Sequence, residues 1–280
     1  MRILDLFAGY GGFSYGAEKL VKGFTTTQFV EKNEFCQKIL KKHWPNVPIH
    51  DDINTFHAKP NQYELLTIGW PCQDISVAGN QKGIKSGTRS SLFYQGIRLL
   101  RELQPRFALF ENVRNLIGHD SGNTFKEVLF QIAKSGYDAE WQVLSVSKHA
   151  RGVHRRERVF IIAYPKYFRL SPTERLRIYG EANNNTQERQ NKIEQLERSS
   201  ESIYSKIIQR PSSWSNGKYF LNPNPNGYSS KSTVCRTDNG FTRGLHKNRI
   251  TALGNGVVPH VAAIPLQRIK KLNEYFSTIT

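Results

Sequence analysis

Residues 2–16 read RILDLFAGYGGFSYG, and this stretch decides the fold. Ile3 to Phe7 form a short apolar run typical of a buried strand, and a helical pattern follows over residues 12–22. Between the two, Gly9, Gly11 and Gly12 allow a tight turn in which the backbone can approach a ligand closely. The stretch therefore predicts a strand, a glycine-rich turn and a helix.

The same alternation of strand and helix continues to about residue 164. Further strand-like runs are predicted at 26–30, 65–69, 107–110, 142–146 and 159–163, with helices near 33–43, 91–104 and 123–135. This alternation predicts an α/β domain over residues 1–164 with a doubly wound, mainly parallel sheet. In such sheets the ligand crevice lies outside the carboxyl ends of the strands, so functional motifs are expected directly after strands.

The remainder of the chain has a different composition. Residues 165–248 are polar and rich in turn-forming residues, as in PSSWSNGKYFLNPNPNGYSS at 211–230, which predicts a small loop-rich lobe. A solvated flexible insertion is one interpretation of this segment. The other is a nucleic-acid surface, because Trp214, Tyr219 and Tyr228 alternate with basic side chains. Apolar spacing in 249–280 predicts a final helix that returns to the first domain.

Composition narrows the class of protein. The 280 residues carry a formal net charge of +17, which favours a nucleic-acid partner. Three cysteines without a CxxC pattern predict neither a zinc site nor a disulfide framework, so no metal is expected. Without a signal-like segment or a long apolar stretch, the sequence predicts a soluble protein in the cytoplasm and no membrane partner.

The glycine-rich turn resembles a nucleotide-binding turn without matching the strict GxGxxG pattern, whose third glycine falls on Ser14. Glu31 ends the next predicted strand 22 residues after Gly9, the spacing at which a carboxylate can accept a ribose hydroxyl. Together they predict a cofactor that contains a nucleoside. The alternative is a plain turn followed by a solvated charge at the strand end.

The stretch WPCQDIS at 70–76 places Cys72 directly after the run at 65–69. A free cysteine in this setting is either a small buried hydrophobe or a nucleophile. The nucleophile is favoured because the crevice edge is expected here and a polar, basic, glycine-punctuated segment, 78–89, follows as a candidate lid. Glu111 also follows a strand, in FENV, and the basic run HRRERVF occupies 154–160.

In this order the motifs resemble those of DNA (cytosine-5)-methyltransferases. The matching segments are DLFAGYGGFSYG, VEKNEFC, HDDI, GWPCQDIS, RSSLF, FENV, HRRERVF and GNGVVP. Three positions depart from the family pattern: Trp70 replaces a phenylalanine, His154 a glutamine and Asn33 an aspartate. Residues 165–248 fall where that family has its variable target recognition region.

The resemblance implies a Rossmann-like methyltransferase fold and a role for each matching residue. It assigns S-adenosylmethionine binding to Phe7, Gly9, Gly11, Gly12, Glu31, Asp52 and Asn255. It makes Cys72 the nucleophile, with Glu111 on the cytosine edge and Arg156 and Arg158 on the target nucleotide. It places Pro71, Gln73, Ser76, Arg89 and Asn112 in or beside the catalytic loop that closes on DNA.

The implied reaction suits these side chains. A thiolate that adds to carbon 6 of a flipped-out cytosine makes carbon 5 nucleophilic enough to accept a methyl group, and a carboxyl at ring nitrogen 3 stabilises the developing charge. The expected partner is double-stranded DNA, a cognate restriction endonuclease is a further candidate partner, and a monomer is expected. Two alternatives stay open: a catalytically silent DNA-binding relative and a nicotinamide-dependent oxidoreductase.

Overall fold

The computed structural model describes residues 1–71, 92–150, 156–168 and 254–278. The strands in these ranges are β1 (Arg2–Leu6), β2 (Thr25–Val30), β3 (Ile49–His50), β4 (Leu65–Ile68), β5 (Phe107–Val113), β6 (Tyr137–Ser145) and β7 (Glu157–Pro165). The α-helices named in these ranges are α1 (Gly12–Tyr15), α2 (Glu34–His43), α3 (Phe93–Leu103), α4 (Asn123–Lys134), α5 (Val146–His149) and α6 (Pro259–Phe276). Helix α1 continues into a π-helical segment over Gly16–Val21.

The described strands form one seven-stranded sheet in the order β3-β2-β1-β4-β5-β7-β6. The pairs from β3 to β5 are parallel, and β7 runs antiparallel to both β5 and β6. The predicted doubly wound, mainly parallel sheet is therefore confirmed. Because β1 lies between β2 and β4, the strand order reverses there, and a ligand crevice is expected at the carboxyl ends of these strands.

Both faces of the sheet are buried, as expected for a parallel sheet with helices on each side. Successive residues of β1 point to opposite faces, so Leu4 packs in the core with α3 and α4 while Ile3 packs in the core with α6. An ion pair also joins α6 to the sheet: Arg268 Nε lies 2.9 Å from Glu140 Oε1 of β6, and both side chains are buried.

The structure extends several predicted strands and adds one: β5 continues to Val113, and β7 covers Glu157–Pro165. β6 begins at Tyr137 rather than at 142, because the ladder with β7 includes the polar residues Asp138 and Glu140 that interrupt the apolar pattern. β3 was not predicted, since it contains only two residues. The division into domains stays a prediction, because residues 169–253 lie outside the described ranges.

Candidate active site

A cleft of about 750 Å³ lies at the carboxyl ends of β1, β2, β4 and β5. This volume is in the range of small-molecule and cofactor sites. The residues that line it include Phe7, Gly9, Glu31, Asp52, Gly69, Trp70, Pro71, Glu111, Asn112, Arg158 and Asn255. Most of them directly follow a strand, as the sequence predicted for functional positions.

The glycine-rich turn after β1 has a left-handed backbone at three positions. Phe7, Gly9 and Gly11 have φ values of 55°, 57° and 85°. A Cβ on Gly11 would lie 2.6 Å from the Trp44 ring, and a Cβ on Gly12 would overlap the Val257 carbonyl oxygen. A Cβ on Gly9 would meet nothing within 4 Å, so the space beside Gly9 is open to a ligand.

Glu31 joins this turn to the loop after β2. Its Oε2 accepts a hydrogen bond from the Gly9 amide at 2.7 Å, and its Oε1 accepts one from the Asn33 amide at 2.7 Å. Burial raises the pKa of the Glu31 carboxyl, although these two bonds act in the opposite direction. Each carboxylate oxygen can accept more than one hydrogen bond, so a ligand hydroxyl in the cleft can still bind here.

The loop that carries Asp52 is held by a residue that the sequence analysis missed. Arg98 of α3 donates from Nη2 to the carbonyl oxygens of Ile53 at 2.8 Å and Phe56 at 3.0 Å. Its Nη1 forms an ion pair of 2.8 Å with Glu102. An arginine on an amphipathic helix gives no sequence signal for such a contact, because it depends on how α3 packs beside the loop.

Glu111 lies on the other side of the cleft, within β5 rather than after it. The residue is only 7 % exposed, and Arg158 Nε of β7 lies 3.1 Å from its Oε1. Its Oε2 faces Gly69, where an added Cβ would lie 3.7 Å away. Burial raises the pKa of Glu111, whereas the charges of Arg158 and Arg156 oppose that rise.

The chain that leads to Cys72 is anchored beside Glu111. Asn112 Nδ2 donates to the Trp70 carbonyl oxygen at 3.2 Å. The Trp70 side chain is buried, with its ring centroid 5.2 Å from that of Phe93. Pro71 lines the cleft. Cys72, Gln73, Ser76 and Arg89 lie outside the described residues, so their predicted roles stay predictions.

A second carboxyl is buried beneath the glycine-rich turn. Asp5 of β1 is fully buried and accepts hydrogen bonds from Ser14 Oγ at 2.8 Å and Thr67 Oγ1 at 2.7 Å. Burial raises its pKa to about 7 in spite of these bonds. Asp5 therefore ties β1 to α1 and β4, the elements that meet at the centre of the cleft.

Cys36 also lines the cleft, from the first turn of α2. Burial, with a contribution from the nearby Glu31 charge, raises the pKa of its thiol to about 11. The thiol is therefore protonated at neutral pH and is a poor nucleophile.

A family model of C-5 cytosine-specific DNA methylases matches residues 1–256. The chain belongs to this family. The matched range contains the residues on both sides of the cleft, from the glycine-rich turn to Gly256. The nicotinamide-dependent oxidoreductase is set aside, since the chain belongs to the methylase family over a range that contains the glycine turn and Glu31.

Two methyltransferases that are similar in sequence come from a Bacillus strain and from a Bacillus phage. The chain is 33% identical over 165 residues to the type II methyltransferase M.Bsp6I of Bacillus sp. strain RFL6. The aligned region covers 59% of this chain and 52% of that protein. It is 33% identical over 171 residues to the orphan methyltransferase M.SPRI of Bacillus phage SPR, covering 58% and 37%. The chain thus matches about half or less of the length of these relatives.

A solved structure supports the fold. A crystal structure of a DNA modification methyltransferase encoded within an E. coli prophage has a TM-score of 0.50 and 23% identity to this chain. The similarity covers 64% of this chain and 50% of that one. At this identity the comparison supports the methyltransferase fold and carries no residue roles.

The structure brings most of the predicted methylase site residues to one cleft. Five of the seven predicted cofactor residues line it, while Gly11 and Gly12 shape the turn behind it. Glu111, Asn112, Pro71 and Arg158 line its other side. Arg156 Nη2 donates to the Gly256 carbonyl oxygen at 2.5 Å, a contact that the sequence did not indicate, and its role on the target nucleotide stays a prediction.

No group of three or more potential metal-ligating His, Cys, Asp or Glu side chains occurs among the described residues. Within the same ranges, no helix combines the length and the apolar character that a membrane span requires.

Proposed function

We propose that this chain transfers a methyl group from S-adenosylmethionine to carbon 5 of a cytosine in double-stranded DNA. One observation carries the proposal: a single cleft has Glu31 and the open face of Gly9 on one side and the buried Glu111–Arg158 pair on the other. Pro71, the residue before Cys72, lies in the same cleft. Family membership supports the same reaction.

The residues on the Gly9 side fit a nucleoside cofactor. The Glu31 carboxylate is fixed by two backbone amides and retains acceptor capacity for ribose hydroxyls. Asp52 and Asn255 line the same cleft, and in this proposal Asp52 contacts the adenine and Asn255 the methionine end. S-adenosylmethionine, when bound, supplies an electrophilic methyl group on a positively charged sulfur.

The residues on the Glu111 side fit a flipped-out cytosine. A carboxyl with a raised pKa can hold a proton near ring nitrogen 3, where negative charge develops after a thiolate adds to carbon 6. In this proposal Cys72 supplies the thiolate, and Arg158 fixes the orientation of Glu111. After methylation, loss of the carbon 5 proton and elimination of the Cys72 sulfur restore the aromatic ring.

The DNA contacts of this proposal rest on charge and on segments outside the described residues. A net charge of +17 favours binding to phosphates and helps to offset the few kcal/mol that base flipping costs. Arg89 and the segment 165–248 are the proposed DNA-closing and target-reading parts. Cytoplasmic action on host or phage DNA and pairing with a restriction endonuclease belong to the same proposal.

The decisive experiment is bisulfite sequencing of DNA from a bacterial host without cytosine methylation that expresses the chain. We expect protection of cytosines in one sequence context. Cys72→Ala should abolish protection and retain DNA binding, whereas the matched control Cys36→Ala should retain both. Unmodified cytosines in every context would argue against the activity, and protection by Cys72→Ala would exclude Cys72 as the nucleophile.

A further inference from the structure

The cleft wall formed by Gly254–Val257 is held by contacts from two distant segments. The hydroxyl of Tyr10, in the glycine-rich turn, donates to the Val257 carbonyl oxygen at 2.6 Å. Arg156 Nη2 donates to the adjacent Gly256 carbonyl oxygen at 2.5 Å. Two consecutive carbonyls are thus fixed by side chains from two distant segments, and Asn255 is the residue directly before them.

Gly256 provides the space for the Tyr10 ring. A Cβ added to Gly256 would overlap Tyr10 Cε1 and would lie 2.5 Å from Cδ1 and 2.8 Å from Cζ. Gly256 is not among the glycines with a positive φ, so its backbone is accessible to other residues. The requirement for glycine at this position is therefore steric, and Tyr10 is its cause.

The Tyr10 ring cannot move aside without losing its hydrogen bond. The ring lies between the turn and Gly256, and its hydroxyl is the atom that bonds Val257. Burial raises the pKa of this hydroxyl, so it remains a neutral donor at physiological pH. Any side chain at position 256 must therefore break the bond or displace the segment that carries Asn255.

We propose that Tyr10 and Gly256 form a latch that holds Asn255 against the methionine end of the cofactor, which makes Tyr10 a positioning residue. The proposal rests on the proposed function. It assigns Tyr10 an effect on cofactor affinity rather than on the chemical step, because its contacts are to the Gly254–Val257 wall. Arg156 supports the same wall from the cytosine side of the cleft.

The test is a double-mutant cycle in the full chain, with the affinity for S-adenosylhomocysteine measured by calorimetry and kcat measured at saturating S-adenosylmethionine. Tyr10→Phe removes only the hydroxyl and should weaken affinity about 3- to 10-fold. Gly256→Ala should weaken it more than 10-fold, and Tyr10→Ala/Gly256→Ala should recover affinity to within about 3-fold of Tyr10→Ala alone. Across the series kcat should stay within about twofold of wild type.

Tyr15→Phe is the matched control, because Tyr15, the last residue of α1, follows the glycine-rich turn and is 46 % exposed. The affinity of this variant for S-adenosylhomocysteine should equal that of wild type. The latch would be overturned if the losses of affinity in the double variant were additive. It would also be overturned if kcat and melting temperature fell together with affinity across the series. Wild-type affinity of Gly256→Ala would do the same. A wild-type chain that binds no S-adenosylhomocysteine would instead overturn the proposed function, and the latch with it.

Discussion

Each side of the cleft contains a carboxyl, partly buried at Glu31 and buried at Glu111, and the structure holds the two in different ways. Glu31 is held by the backbone amides of Gly9 and Asn33, which belong to the loops after two adjacent parallel strands. Glu111 is held by the guanidinium of Arg158 on an antiparallel neighbour. The first arrangement is made by neutral donors and the second by a charge.

The difference follows from the sheet. On the Glu31 side the parallel strands end together, so their loops meet at one edge. On the Glu111 side, Val113 of β5 pairs with Arg158 of β7, and alternation along β5 puts Glu111 on the same face as Val113. Burial raises the pKa of both carboxyls, so the contrast lies in their partners. Glu31 is fixed by neutral amides and can still accept hydrogen bonds from a ligand, whereas Glu111 is oriented by the Arg158 guanidinium.

The largest effect is expected from a substitution that alters only the Glu111 side of the cleft. Glu111→Gln keeps the shape but loses the ionisable carboxyl and its ion pair with Arg158. We expect kcat to fall by about 10²- to 10⁴-fold, the usual contribution of a positioned acid or base. The affinity for S-adenosylhomocysteine should stay within about twofold of wild type, because Glu31 and the glycine turn are unchanged.

Steady-state kinetics and calorimetry on the same preparation check this separation. A variant that loses cofactor affinity as strongly as kcat would contradict the division of the cleft into two sides. If the variant had the kcat of wild type, Glu111 would take no part in the chemical step.

The same comparison explains what the sequence could and could not predict. The turn at Gly9 and the strand-end acid Glu31 were predictable, because both are local features at known positions relative to strands. The Glu111–Arg158 contact was not, since it depends on the register of β5 and β7. Tyr10 and Arg98 were missed for a similar reason: their partners, Val257 and Ile53, are set by packing between distant segments.

The second expected effect concerns Asp5, beneath the glycine turn. Its folded-state pKa of about 7 exceeds the ordinary value of 3.8, so the native chain holds a proton that the unfolded chain has lost between these pH values. The free energy of unfolding should therefore fall as pH rises from about 4 to about 7. The difference between the two pKa values corresponds to on the order of 4 kcal/mol.

Asp5→Asn removes this titration. Urea denaturation between pH 5 and pH 8 should show wild type losing stability relative to the variant as pH rises, with the difference levelling off above pH 8. The matched control Asp51→Asn, at an exposed aspartate beside the same cleft, should follow wild type. A stability difference between Asp5→Asn and wild type that does not vary with pH would show that Asp5 is ionised in the native state throughout.

The smallest effect is expected from a substitution that alters only the Glu31 side of the cleft. In Glu31→Gln the amide nitrogen faces one of the two backbone donors, Gly9 N or Asn33 N, so one hydrogen bond is lost and the cofactor side loosens. Affinity for S-adenosylhomocysteine should fall about 10- to 100-fold, and kcat at saturating S-adenosylmethionine should change little. Glu274→Gln, at an exposed carboxyl of α6 that does not line the cleft, should bind S-adenosylhomocysteine normally. Equal losses in kcat and affinity for Glu31→Gln would mean that the two carboxyls act on one step.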